Sequence, residues 1–264
     1  MSFQSYRQLR QKEAQLVEQI RGEIRLSEPE ALVAYLPNFM PPKPVEYIVL
    51  AMEPSMAWAK TEEEAQQQVN KGYRNFMHSW EDFLLHHCLK TDLPSYHITD
   101  ISKAAMTVKN AGIWRDQLYP QWMDLLCQEI ELVGAENAVI IPLGAKVEDY
   151  LQGKILPRPI AAKMMHFSGN AAKYRKDIPA GFPEEYEEFS KKQTIQILLE
   201  SAEERLKKLF QTENQIFETP TPQKLIDDRI SVLSKKEGVS ESRKQLMFTY
   251  FKQLTEIVAK NSKR

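Results

Sequence analysis

The sequence predicts an α/β fold in three layers, α/β/α, with a central four-stranded parallel sheet, a helical segment before it and a helical extension after it. Two observations carry that prediction. Four short apolar runs, VEYIVLAM (45–52), SYHIT (95–99), NAVIIPL (137–143) and AAKMMHF (161–167), are separated by stretches with room for helices, the pattern of βαβ units. After Pro183 the texture changes to long charged segments with apolar residues at helical spacing.

Taken in order, Leu9, Leu16, Val17, Ile20 and Ile24 recur at helical spacing between Ser5 and Leu26, which predicts an amphipathic helix that packs on the rest of the chain. LPNFMPPKP (36–44) holds too much proline for a helix or a central strand, so residues 1–44 read as helix and linker. The α/β domain then spans 45–183. Its first strand, 45–52, runs into Glu53 and Pro54. NFMHSWEDFLLHHCL (75–89) and YPQWMDLLCQEIELV (119–133) show the three-to-four-residue apolar period of helices, and Asp149 with the leucines around it marks a short helix after Gly144. Residues 184–264 form the helical extension, with PEEYEEFSKKQTIQILLESAEERLKKLF and SRKQLMFTYFKQLTEIVAK joined through ETPTPQ.

The 264 residues are 42% hydrophobic, enough for a sizeable core. With 35 basic against 36 acidic side chains the formal charge is -1, so any nucleic-acid surface has to be local. Cys88 and Cys127 lie far apart with no Cys or His at ligand spacing, which argues against a zinc or iron-sulfur site and for free, buried thiols in a reducing compartment. The polar N-terminus has no apolar core of signal-peptide type, and no later stretch is long and apolar enough for a bilayer; a cytoplasmic protein with no membrane partner is the expectation.

Ligands of open parallel sheets bind beyond the carboxyl ends of the strands. There the first run delivers Glu53-Pro54-Ser55, the second Asp100, the third Pro142-Leu143-Gly144 and the fourth His166-Phe167-Ser168-Gly169. A single carboxylate after a strand is often a helix cap, and a lone histidine is often structural. Two carboxylates and an imidazole arriving together are equipment for hydrolysis, one group directing water and another stabilising the leaving group.

At this point the residues resemble a family. AMEPS (51–55) resembles the first motif of the uracil-DNA glycosylase superfamily, and HFSGN (166–170) resembles its second, His-Pro-Ser-Pro-Leu. Between them, NFMHSWEDFLL and YHITDISKA are similar to the segment in which an aromatic precedes a helix and an Ile-Thr-Asn strand end follows, and LVGAENAVIIPLGAKVEDYL resembles the third-strand segment with its Leu-Gly turn. The resemblance covers residues 45–176 in order and leaves both tails unexplained. It implies a monofunctional DNA glycosylase that flips a nucleotide and hydrolyses its base, with no cofactor, no metal and no Schiff-base lysine.

By that resemblance Glu53 directs water beneath the sugar, and His166 hydrogen-bonds the base carbonyl as negative charge gathers there. Ser168, Gly169 and Asn170 hold a backbone phosphate, with Lys163, Lys173, Arg175 and Lys176 as the surrounding basic patch. Phe76 stacks on the flipped base, with Trp58 and Tyr73 as rivals. Three departures bear on the substrate. Asp100 replaces the base-reading Asn, and an ionised carboxylate only accepts, which favours the exocyclic amine of a cytosine over O4 of uracil. Ser55 stands where the uracil-specific branch carries a tyrosine that blocks C5. Asn170 stands at the wedge leucine, with Tyr174 as another inserting group. The expectation is excision of a C5-modified cytosine, with antiphage defence as one setting. Uracil excision in base excision repair and a non-catalytic DNA-binding module are the alternatives. No G-x-S-x-G elbow, phosphate loop or dinucleotide fingerprint points elsewhere.

Overall fold

Helical apolar spacing at the N-terminus becomes α1 (Phe3–Ser27), which turns Tyr6, Leu9, Val17, Ile20 and Ile24 inward. It is followed by β1 (Val33–Tyr35), β2 (Val45–Ala51), α2 (Glu62–Asn70), α3 (Trp80–Asp92), β3 (Tyr96–Asp100), β4 (Ala104–Met106), α4 (Val108–Val133), β5 (Gly134–Pro142) and α5 (Ala145–Leu151). A 3-10 turn (Gly169–Tyr174) and five helices complete the chain: α6 (Asp177–Gly181), α7 (Pro183–Lys192), α8 (Ile195–Phe217), α9 (Gln223–Ser234) and α10 (Glu241–Asn261). The structure is a computed structural model and describes residues 3–56, 59–75, 79–217, 223–235 and 238–262.

Three of the predicted strands form a parallel sheet in the order β3-β2-β5, with Val49 of the central strand opposite Ile98 and Ile141. The fourth is not a continuous strand. Its residues run parallel to β5 but, among the described residues, bridge it only at Ile140 with Ile160 and, just past its end, at Leu143 with Met164. Three steps along β5 are matched by four along the neighbouring segment, so one extra residue breaks the ladder, and Pro142 has no N–H to offer. The Met164 amide still donates to the Pro142 carbonyl and the Gly144 amide to the Met164 carbonyl, which ties residues 164–166 to the end of β5.

Alternation along β2 puts its side chains on two faces. Tyr47, Val49 and Ala51 join a core with α3, α8 and α10, through Leu84, Leu206, Phe210, Leu246 and Tyr250. Ile48 and Leu50 join another with α1, α4 and α5, through Tyr6, Leu126, Ile130 and Val147. The C-terminal helices therefore cover one face of the sheet.

Other elements differ from expectation for local reasons. The helix expected from residue 75 starts at Trp80, where Ser79 and Asp82 form a reciprocal capping box. Residues 183–210 break into two helices because Thr194 caps the second, its hydroxyl accepting from the Ile197 amide at 3.3 Å. The helix expected at 119–133 begins earlier, capped by Thr107, and carries Pro120 within it. The antiparallel pair β1 with β4, only three residues each, lies outside the four predicted runs, although β1 falls within the apolar ALVAYL (31–36). Both cysteines are free, Cys88 buried and Cys127 only half-buried.

Candidate functional site

Glu53 leaves the carboxyl end of β2 with its side chain only 8% exposed. Arg115 grips it with two bonds, Nε to Oε2 at 3.0 Å and Nη2 to Oε1 at 2.5 Å, and the Tyr119 hydroxyl also donates to Oε2. Arg115 and Tyr119 stand four residues apart on one face of α4, the spacing that brings side chains together on a helix. Its hydrogen bond to Glu53 holds the Arg115 guanidinium protonated above its usual range, and burial followed by the Glu53 charge raises the Tyr119 hydroxyl. Neither residue was identified from the sequence, where the only signal is that four-residue spacing.

Asp100, at the end of β3, is 1% exposed. Its Oδ2 accepts from Asn38 Nδ2 at 2.7 Å and from Asn75 Nδ2 at 2.6 Å. Burial lifts its carboxyl to about 6 against the pull of Lys103 and the two amides, and the charge of Glu53 adds to the rise. This corrects the expectation that Asp100 meets a base directly: the amides of Asn38 and Asn75 already occupy that oxygen, and the side chain is sealed from solvent. Beneath it Lys103 Nζ donates to the Asp100 carbonyl, Thr99 Oγ1 and Glu129 Oε2 at 2.6–2.7 Å. Burial alone would raise Glu129, but Lys103 and His97 outweigh it and hold the carboxyl well below the usual carboxylate range.

His166 follows the irregular fourth segment, and its Nδ1 accepts the Ser168 amide at 2.9 Å. That bond requires an unprotonated Nδ1, so the neutral ring carries its proton on Nε2. Burial lowers the imidazole pKa, opposed by the charge of Glu53. The ring stacks on Phe167 with centroids 4.6 Å apart. Gly144, at φ +96°, closes in from the end of β5, and a β-carbon there would stand 3.0 Å from His166 Cβ. Glu53 thus bears electrostatically on both Asp100 and His166, and the three groups stand at the carboxyl end of the sheet, where Asp100 pairs with Ala51 and Met164 bridges Leu143.

The remaining expected residues divide. Ser55 is half-buried and bridges Met106 of β4. The Ser168 amide is committed to His166, which leaves its hydroxyl as the group that can face a phosphate. Gly169, Asn170, Lys173 and Tyr174 are exposed, with Lys173 Nζ 4.9 Å from the centre of the Tyr174 ring. Arg175 departs from the phosphate-binding expectation: it is 5% exposed and bonds Phe167 O and Ser242 Oγ within the protein. Lys163 pairs with Glu148. Tyr73 is a core residue, 2% exposed beneath the Arg229 guanidinium. Phe76 and Trp58 lie outside the described residues.

Among the described residues no group of three or more His, Cys, Asp or Glu is placed to hold a metal ion, and no helix is long and apolar enough to cross a membrane. No family model, curated protein or solved structure matches the chain.

Proposed function

We propose that this protein is a monofunctional DNA glycosylase of the uracil-DNA glycosylase type, hydrolysing the N-glycosidic bond of a flipped pyrimidine with a C5-modified cytosine as the favoured base. One observation carries the reading: Glu53 and Asp100 leave neighbouring strand ends, and a neutral His166 leaves the segment bridged to the end of β5, all at the carboxyl end of one parallel sheet. A neutral imidazole with Nδ1 engaged by Ser168 has Nε2–H to donate, which suits a base carbonyl that gains negative charge as the glycosidic bond breaks. Glu53 directs water to the sugar once Arg115 transfers to a phosphate of the bound strand, because a carboxylate gripped by a guanidinium and a phenol has little pull on a water proton. Asp100 acts through its neighbours. An amide whose NH2 is given to a carboxylate turns its carbonyl away as an acceptor, and an acceptor suits the exocyclic amine of cytosine.

The test is to incubate the protein with DNA containing uracil, cytosine, or hydroxymethylated or glucosylated cytosine and to quantify abasic sites. Release of the modified cytosine is expected, and Glu53→Gln is expected to lower turnover on the order of a hundredfold while sparing DNA binding. An unchanged rate removes Glu53 from the mechanism; abasic sites from uracil alone overturn the base assignment. A second reading, a catalytically silent DNA-binding module, draws on the complete engagement of the Glu53 carboxylate by Arg115 and Tyr119. DNA binding with no abasic site on any of these substrates favours it.

A further inference from the structure

A cavity of about 190 Å³ lies along the outer side of the edge strand β3, away from Glu53 and His166. It is walled by the proline-rich segment before β2, by α3 and by α8, and two of its lining residues also reach the strand-end site, Asn75 through Asp100 and His97 through Glu129. Four cations line it, Lys43, Lys90, Arg205 and Lys208, and not one Asp or Glu does. In a chain with more acidic than basic residues this segregation is selective. Lys90 carries a surface partner, Glu204. Arg205 lays its guanidinium over Tyr96 at 4.7 Å, and its Nε is buried without a hydrogen-bond partner among the described residues. A buried donor without a partner costs free energy that a ligand acceptor recovers. The rest of the wall is mostly apolar and aromatic, Phe39, Tyr96 and Leu209 among it, with Asn75, His86, Ser95, His97 and Thr212 as its polar members.

We propose that this cavity is a second binding site, for a small organic phosphate monoester whose apolar body lies against Phe39 and Leu209 and whose dianionic head meets Arg205 and Lys208. The cation count favours a dianion over a carboxylate: the charge of Glu204, paired with Lys90, also bears on Lys208 and Arg205, and the four cations still outnumber that one carboxylate by three. The cavity walls favour an apolar body over a bare ion, because burying one there removes apolar surface from water on both sides. At about 190 Å³ it has room only for a compact molecule.

Titration calorimetry with phenyl phosphate, inorganic phosphate and phenol tests both halves of the proposal. Phenyl phosphate is expected to bind saturably, with inorganic phosphate and phenol each at least about ten-fold weaker. Lys208→Gln, at an exposed position that leaves the fold intact, is expected to weaken phenyl phosphate about ten-fold, the equivalent of one charge-assisted hydrogen bond, and Arg205→Gln at least as much. Failure of phenyl phosphate to bind the folded protein overturns the site. Equal binding by both variants overturns the role of the cations, and inorganic phosphate binding as tightly as phenyl phosphate overturns the apolar half. The readout is binding alone, so it stands or falls apart from the glycosylase reading.

Discussion

Asp100 carries a consequence for pH. Burial sets its native pKa near 6, above the usual 3.8, with the charge of Glu53 adding to the rise. A carboxyl whose native pKa lies above its unfolded value binds its proton more tightly when folded, so folding takes up a proton between about pH 4 and 6 and stability falls as pH rises through that window. Relative to Asp100→Asn, the wild type is expected to lose roughly 2.5 kcal/mol between pH 4 and 7, read from urea unfolding of both proteins across that range. The Asn variant can still receive the amides of Asn38 and Asn75 on its own carbonyl, so the comparison isolates the proton. A flat difference between the two proteins would place Asp100 in a wetter site than the structure shows. Glu53 and Asp100 were legible in the sequence because a strand end fixes where the next side chain must stand, and His166 because its segment still runs beside β5 as far as the Met164 bridge. Arg115, Asn38 and Asn75 were not. They reach the same place from a helix face and two loops, and their arrival depends on packing between elements that carries no local pattern.

At the level of elements, the turn from β5 into α5 sets how closely His166 approaches the sheet. Gly144 adopts φ +96° and ψ 161°, a region open to glycine and strained for other residues, and its missing side chain leaves room for His166 Cβ. Gly144→Ala is expected to cost roughly 1–3 kcal/mol in thermal or urea unfolding and to displace the imidazole, seen as a shifted His166 resonance in NMR. A variant of unchanged stability with an unmoved histidine signal would mean that the turn relaxes without strain. The same corner shows where sequence periodicity stops informing. The runs at 45–52, 95–99 and 137–143 became strands because uninterrupted apolar residues fill both faces of a buried parallel sheet. AAKMMHF has a similar apolar texture, yet one extra residue against β5 and the missing N–H of Pro142 turn it into two isolated bridges. A register mismatch of that kind belongs to the pair of segments, so neither segment displays it alone.

For the whole molecule, one connection between the two tails that the resemblance leaves unexplained is a buried carboxylate. Glu213, on α8 and 3% exposed at its side chain, accepts from Arg10 of α1 at 3.2 Å, Arg74 at 3.1 Å and the Met40 amide at 3.0 Å. The residues it joins are 203, 139 and 173 positions away in sequence. Arg10 also bonds the Asn38 carbonyl, so the same cluster abuts the amide that holds Asp100. Removing Glu213 leaves two arginines buried side by side with their main counter-charge gone, and burial already depresses Arg74. Glu213→Ala is therefore expected to destabilise the protein by roughly 3–5 kcal/mol, a large part of the roughly 5–15 kcal/mol typical of a folded domain. Because α8 also supplies Leu206 and Phe210 to the core beneath β2, the loss should appear as one transition shifted to lower urea, coincident by fluorescence and far-UV circular dichroism. Two separated transitions in the variant, with the sheet surviving the helices, would show instead that the C-terminal region folds as a unit of its own and that Glu213 links two independent parts.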